Sequence, residues 1–215
     1  MNPDKRLNEL LKWSIENSDT TKNDPAASAP SSQLTPDVLS AIMGGPSEAD
    51  LMKAAMELIT SDDAEITLED KLVAFDNFEQ LIENLDNANN IANLGLWTPL
   101  LDQLRHDERE IRKMAAWCIG TAVQNNVKTQ EKLLAMGGIP HIVELATKET
   151  EHGDVRRKAV YALSSAVRNY QPGMDQCAEE LSKKGHDTGK LDAMDMEAVD
   201  ELMTSLREKA KAASQ

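Results

Sequence analysis

Aromatic residues are nearly absent: three Trp, two Tyr and two Phe make up 3% of the 215 residues. β-branched runs long enough for strands are missing as well, which excludes sheet architectures and leaves a composition rich in Ala, Leu and Met that favours helices. Positive charge is in deficit, with 23 Lys and Arg against 37 Asp and Glu and a net charge of −14. That balance excludes nucleic acid, whose phosphates need clustered cations, and anionic membrane surfaces; it permits a basic protein surface as partner. Cysteine is scarce too, with Cys118 and Cys177 alone and no C-x-x-C pair. No N-x-Ser/Thr acceptor, secretory signal pattern or apolar run approaching about eighteen residues is present. The address these absences imply is a reducing compartment, the cytosol first, with a nuclear share left open.

Site signatures are missing in the same way. His106, His141, His152 and His186 form no H-E-x-x-H pair, and neither G-x-G-x-x-G, a P-loop nor a G-x-S-x-G elbow occurs. A binding protein without catalytic residues, metal or cofactor is therefore expected.

What is present is periodicity. Residues 3–17 carry Leu7, Leu10, Leu11 and Ile15 on one helical face with Trp13 off it, a helix marginal by itself in water. Asp19 to Gln33 has no apolar period and reads as a linker, and Thr35-Pro36 to Gly44-Gly45 reads as a short helix. From Ser47 the pattern is dense. Leu68, Leu72, Phe75, Phe78, Ile82 and Leu85 form an apolar stripe opposed by Asp76, Gln80, Glu83 and Asn87, followed by a turn rich in Asn and Asp. Thr67 and Asp70 have the form of a capping box.

That helix recurs. Glu110–Asn125 aligns with Asp154–Asn169 at an offset of 44, acid on acid, aromatic on aromatic and Asn on Asn, and maps back onto Glu69–Asn84 at 41. Leu94-Gly95-Leu96-Trp97 matches Met136-Gly137-Gly138-Ile139 at about 42. A period in the low forties built from helices and Gly turns predicts an all-α, right-handed armadillo-like α-solenoid. The boundaries are 1–18 for the first helix, 19–46 for the linker and its short helix, 47–170 for the repeats and 171–215 for C-terminal helices. In those last helices Leu191, Met194, Ala198, Leu202 and Leu206 face one side and cap the array.

Superposing the three long helices gives three trios opposite the apolar stripe: Asp76, Trp117 and Tyr161; Gln80, Thr121 and Ser165; Glu83, Gln124 and Arg168. These line the concave groove. Trp117 and Tyr161 serve there as interface anchors, or else stack between neighbouring repeats. From Asp62 to Asn93 nine Asp or Glu stand against the single Lys71, an acidic rim that attracts a basic patch.

The segment KLVAFDNFEQLIENLDNANNIANLGLW (71–97), the opening Leu-Asn-Glu-Leu-Leu-Lys12-Trp13-Ser14-Ile15 and the run Gly120–Asn126 closely resemble the fungal nucleotide exchange factors for seventy-kilodalton heat-shock chaperones and their animal counterpart, over residues 7–170. The resemblance implies a protein that grips the chaperone's ATPase domain and opens its nucleotide cleft, so that ADP leaves and client is released; a monomer is expected. It assigns the contact to Asp76, Asn77, Gln80, Glu83, Asn84, Asn87 and Ala88, and more loosely to the groove positions of the next two repeats. It assigns client discharge to the N-terminal segment with Leu10, Leu11, Trp13 and Ile15. Ala88 is expected on the concave surface, where an Arg blocks the partner without touching the core. Longer members continue with further repeats, whereas here the match ends near Asn169. The alternative, a scaffold for an extended peptide, calls for a ladder of groove Asn, and Gln80, Thr121 and Ser165 occupy those positions instead.

Deleting residues 1–33 is expected to leave the melting temperature and ADP release from the chaperone unchanged while slowing client discharge. Loss of ADP release in the truncated protein would overturn that division of labour.

Overall fold

The computed structural model describes residues 46–186 and 188–212; the short helix at 3–17, the linker and the helix at 35–45 lie outside them. The folded unit begins at Glu48, and among the described residues every regular element is helical. In order these are α1 (Glu48–Ile59), α2 (Leu68–Ile82), α3 (Leu85–Asn93), α4 (Trp97–Asp102, continued by a 3-10 turn at Gln103–Arg105), α5 (Arg109–Val123), α6 (Val127–Ala135), α7 (Gly138–Thr147), α8 (Gly153–Val167), α9 (Gln171–Lys183) and α10 (Met196–Ala212). The fold is armadillo-like: α3–α4–α5 and α6–α7–α8 are two complete three-helix repeats, α1 and α2 end an incomplete one before them, and α9 opens the next. The third helices α2, α5 and α8 pack successively side by side, and α10 packs on α8 and α7.

Local chemistry sets the helix ends. The Thr67 hydroxyl accepts from the Asp70 N–H (3.2 Å) and the Asp70 carboxylate from the Thr67 N–H (2.9 Å), a complete capping box at the start of α2. Those Thr67 donors hold the exposed Asp70 carboxyl below its ordinary range. Gly95 and Gly137 carry left-handed backbones (φ 71° and 68°) where first helices turn into second ones. Asn125 and Asn169 do the same (φ 52° and 57°) where third helices turn into the next repeat.

Several expected features are corrected. The turn after α2 is itself a helix, α3, whose N-cap Asn84 accepts the Asp86 N–H at 2.9 Å. Leu85 is therefore not in the stripe of α2; it is 57% exposed, and Leu68 is exposed as well. At the other end α10 starts only at Met196 and buries Val199, Met203, Leu206 and Ala210, while Met194 is 68% exposed in the preceding loop.

The two complete repeats are joined by a pair of opposite charges. Arg112 on α5 meets Glu151, in the loop before α8, through Nε (2.7 Å) and Nη2 (2.9 Å), and its Nη1 donates to the carbonyls of His106 and Asp107 (both 2.7 Å). Burial pushes the Glu151 carboxyl up, but hydrogen bonds from Arg112 and the His152 N–H and the Arg112 charge outweigh it, so the group stays below the ordinary carboxylate range. A depressed folded-state pKa gives stability that is present above the unfolded value and lost as pH falls through the folded one. Glu151→Ala is therefore expected to cost about 3 kcal/mol at neutral pH. Denaturant titrations of both proteins from pH 7 downward should show the difference shrinking below about pH 4, and a difference that stayed constant into acid would overturn the assignment.

Candidate partner-binding groove

The third helices carry the groove, and their freedom changes along the array. On α2 and at the junction after it, Asp76, Asn77, Gln80, Glu83 and Asn84 are all exposed. The Gln80 amide donates to Asp76 (2.9 Å), which orders the outer row. Beside it a cleft of about 500 Å³ opens between α1 and α2, floored by Leu51, Ala54, Leu58 and Leu81 and edged by Asn77 and Gln80. Leu51 and Leu58 stand exposed on α1 one turn pair apart, so this end of the groove offers apolar surface inside an acidic rim.

Two residues of the predicted contact do not join that surface. Asn87 is only 8% exposed, and its amide donates to the Leu81 carbonyl (2.9 Å) and to Glu48 (2.8 Å), tying α3 to α1 and to the end of α2. Ala88 is 2% exposed, on the core side of α3. The expectation that Ala88→Arg spares the fold is thus corrected: a long cation there would enter the core, and weak binding by that variant would report unfolding.

In the next two repeats the groove positions are engaged with one another. Thr121 donates to the buried Glu79 carboxylate (2.7 Å) and lies 3.5 Å from the Tyr161 hydroxyl, which donates to Gln124 (3.2 Å). The Tyr161 ring lies against the backbone of α5 at Gly120, where an added Cβ would stand 2.5 Å from its Cε1. Trp117 is half-buried against the core, and the Lys158 ammonium sits 3.7 Å from its ring centroid and 5.7 Å from that of Tyr161. The two aromatics are thus struts between neighbouring repeats that retain one partly open face. Ser165, read as a groove residue, is 7% exposed, and its carbonyl accepts the Gln130 amide at 2.8 Å. Arg168 is turned toward α10, paired with Asp200 and donating to Ser164 (2.9 Å) and the Met196 sulfur (3.5 Å).

Sequence reasoning missed Glu79, Lys158 and Gly120. Glu79 falls on the same turn as the polar stripe but is directed inward to the Thr121 hydroxyl of α5, and the Gly120 signal was a glycine in the interior of a helix, one turn after the Trp117 that aligns with Tyr161. Neither thiol is chemically available: burial pushes Cys118 well up and Cys177 up to about 12. Among the described residues no group of His, Cys, Asp and Glu is placed to hold a metal ion.

The chain matches the family model described as nucleotide exchange factor Fes1 over residues 7–91 and that of the SIL1/FES1/HPBP1 C-terminal domain over residues 87–183. It is 75% identical over 207 residues to a protein of Gibberella zeae named Hsp70 nucleotide exchange factor FES1, covering 96% of this chain and 97% of the relative. A Neurospora crassa relative named Hsp70 nucleotide exchange factor fes-1 is 54% identical over 245 residues, covering 98% of this chain and all of the relative. The Saccharomyces cerevisiae protein of the same name is 47% identical over 169 residues, 77% of this chain but 57% of its own length. The similarity thus runs past Asn169, and the Gibberella zeae and Neurospora crassa relatives match almost from end to end, while the Saccharomyces cerevisiae protein is longer. Among solved structures, an engineered protein determined by a structural genomics consortium shares the fold with a TM-score of 0.53 at 18% identity, over 82% of this chain and 71% of its own.

The close approach at Gly120 is directly testable. Gly120→Ala should gain about 1 kcal/mol of helix propensity but lose about 2–3 kcal/mol, the upper part of the overpacking range, because the added Cβ would stand 2.5 Å from the Tyr161 ring, a net destabilisation. In the background of Tyr161→Ala the same change should cost less, with only the contact to the Ala162 Cα (3.1 Å from an added Cβ) remaining. Denaturant melts of the four proteins in this cycle decide it, and a Gly120→Ala protein as stable as its parent would refute the constraint.

Proposed function

The chain belongs to the Fes1 family of Hsp70 nucleotide exchange factors, and from that premise we propose that it binds the ATPase domain of a cytosolic Hsp70 chaperone and accelerates release of ADP. The observation that carries the proposal is the 75% identity, over 96% of the chain, to the Gibberella zeae factor. The protein performs no bond chemistry in this reading. It binds the open form of the nucleotide cleft more tightly than the closed form, and by thermodynamic reciprocity weakens ADP by the same factor. The exposed row Asp76, Asn77, Gln80, Glu83 and Asn84 with the adjoining apolar cleft forms the principal contact, and Trp117, Thr121, Gln124 and Tyr161 contribute their open faces. The N-terminal segment 1–18, through Leu10, Leu11, Trp13 and Ile15, discharges client. A cytosolic address is supported by two buried, unpaired cysteines. No helix of the described residues is long and apolar enough to cross a membrane.

A peptide scaffold is the weaker reading, because Gln80, Thr121 and Ser165 stand where a groove ladder of Asn is needed, and Ser165 is buried within the array.

The exchange reading is checked by stopped-flow release of fluorescent ADP from an Hsp70 with and without the protein. Glu83→Lys replaces an exposed acid at the end of α2 and should leave stability within about 0.5 kcal/mol. It should slow exchange at limiting concentration, and more so at low salt, where exposed charges are less screened. No acceleration by the parent protein defeats the function, and full acceleration by a folded Glu83→Lys protein defeats the contact surface.

A further inference from the structure

Lys158 is the unexplained charge of the groove. Its ammonium is held 3.7 Å over Trp117 and faces Tyr161 at 5.7 Å, so its position is defined by two half-buried rings. Positions one and two repeats earlier, Met114 and Val73, are apolar, so the packing of third helices does not require a cation here. The neighbouring cations Arg112, Lys113 and Arg168 each hold a carboxylate, Glu151, Glu110 and Asp200 respectively. Lys158 holds none: among the described residues no carboxylate lies within ion-pairing distance, although the chain carries 37 acids against 23 bases. Glu79 acts on it only at longer range and spends its own oxygen on Thr121. Burial holds the Lys158 amine below its ordinary range in spite of Glu79. A half-desolvated cation, oriented on two rings and without a carboxylate among the described residues, is a feature that an incoming anion would stabilise.

We propose that Lys158, seated on Trp117, receives an Asp or Glu side chain of the chaperone, so that this acidic protein recognises a carboxylate at the middle of its groove as well as basic surface at its rim. Charge complementarity then has two signs: the rim around α2 guides encounter, and Lys158 fixes the register in which the partner docks. This rests on the groove being the docking face.

The test uses the full chain and an intact Hsp70, with the dissociation constant measured by calorimetry and ADP release alongside it. Lys158→Met keeps the length and the contact with Trp117 and removes the charge, and it should weaken binding roughly tenfold or more. Lys158→Arg should retain most of the affinity and Lys158→Glu should lose more than Lys158→Met. The gap between parent and Lys158→Met should narrow as salt is raised, which a merely structural role would not produce, and thermal melts verify that each variant is folded. Unchanged or tighter binding by Lys158→Met, with Glu83→Lys still impaired, overturns the carboxylate contact and leaves the groove standing. If neither substitution alters binding, the groove reading itself fails and this inference falls with it.

Discussion

A few residues with left-handed backbones determine how this chain can stack. A helix ends wherever the next residue takes a positive φ, and only Gly and, at modest cost, Asn do so readily. Gly95 and Gly137 turn first helices into second ones, and Asn125 and Asn169 turn third helices into the next repeat. Their spacing explains the uneven period. Between the first and second junctions the offset grows from 41 to 42, because Asn125 has no left-handed counterpart: Asn84, with φ −73°, is already the cap of α3. It grows to 44 in the third repeat because the loop before α8 spans 148–152 where the loop before α5 spans 106–108. That longer loop is the one that brings Glu151 onto Arg112. The irregularities of the repeat are the places where it is bolted together.

The armadillo architecture was legible because signals of different physical origin recurred together: apolar stripes, Gly turns and terminal Asn residues came back at offsets of 41 to 44. Where one signal stood alone it misled. The segment of α3 contains Asn87, Asn89 and Asn90, residues that prefer turns because their side chains compete for backbone groups. Here those amides are satisfied elsewhere, Asn87 by the Leu81 carbonyl and Glu48, and Asn89 by Asn126 (3.1 Å), so a poor helix former is held helical from outside. The phase of α10 was displaced for a related reason. Leu191 and Met194 extend the apolar spacing by chance, whereas the helix begins only when Asp195 accepts the Ala198 N–H (3.1 Å).

The binding face was legible in part, and the part that failed did so for a geometric reason. Periodicity divides a helix into one buried and one free face, but a third helix in a solenoid has neighbours on both flanks as well as beneath it. On α2, the first of the row, five of fifteen residues are buried; on α5 nine are, and on α8 eleven. The same pattern of sequence therefore presents Gln80 to solvent, engages Thr121 with Glu79 and Tyr161, and buries Ser165. Position in the array, which no single window contains, decides what an equivalent residue is free to do. Ala88 was misread by the same route: with α3 taken as a turn, a small residue between two amides looked like surface, and as a helix it faces the core.

A nucleotide exchange factor must make its partner yield, and that puts a demand on its own stiffness. In the proposed mechanism, binding energy opens the chaperone only to the extent that the solenoid does not bend instead. Interiors that are packed and hydrogen-bonded resist such bending, because they switch between discrete arrangements and do not deform continuously. The polar contacts between repeats supply this resistance along the groove: the Gln130 amide caps α8 through the carbonyls of Ser165 and Arg168, Arg112 and Glu151 lock one repeat to the next, and Tyr161 rests against Gly120. Residues that sequence alone offered as contacts for the partner thus act partly as the bracing behind them. Burial rises along the array, with the freest polar surface on α2 and the most heavily buried third helix, α8, farthest from it.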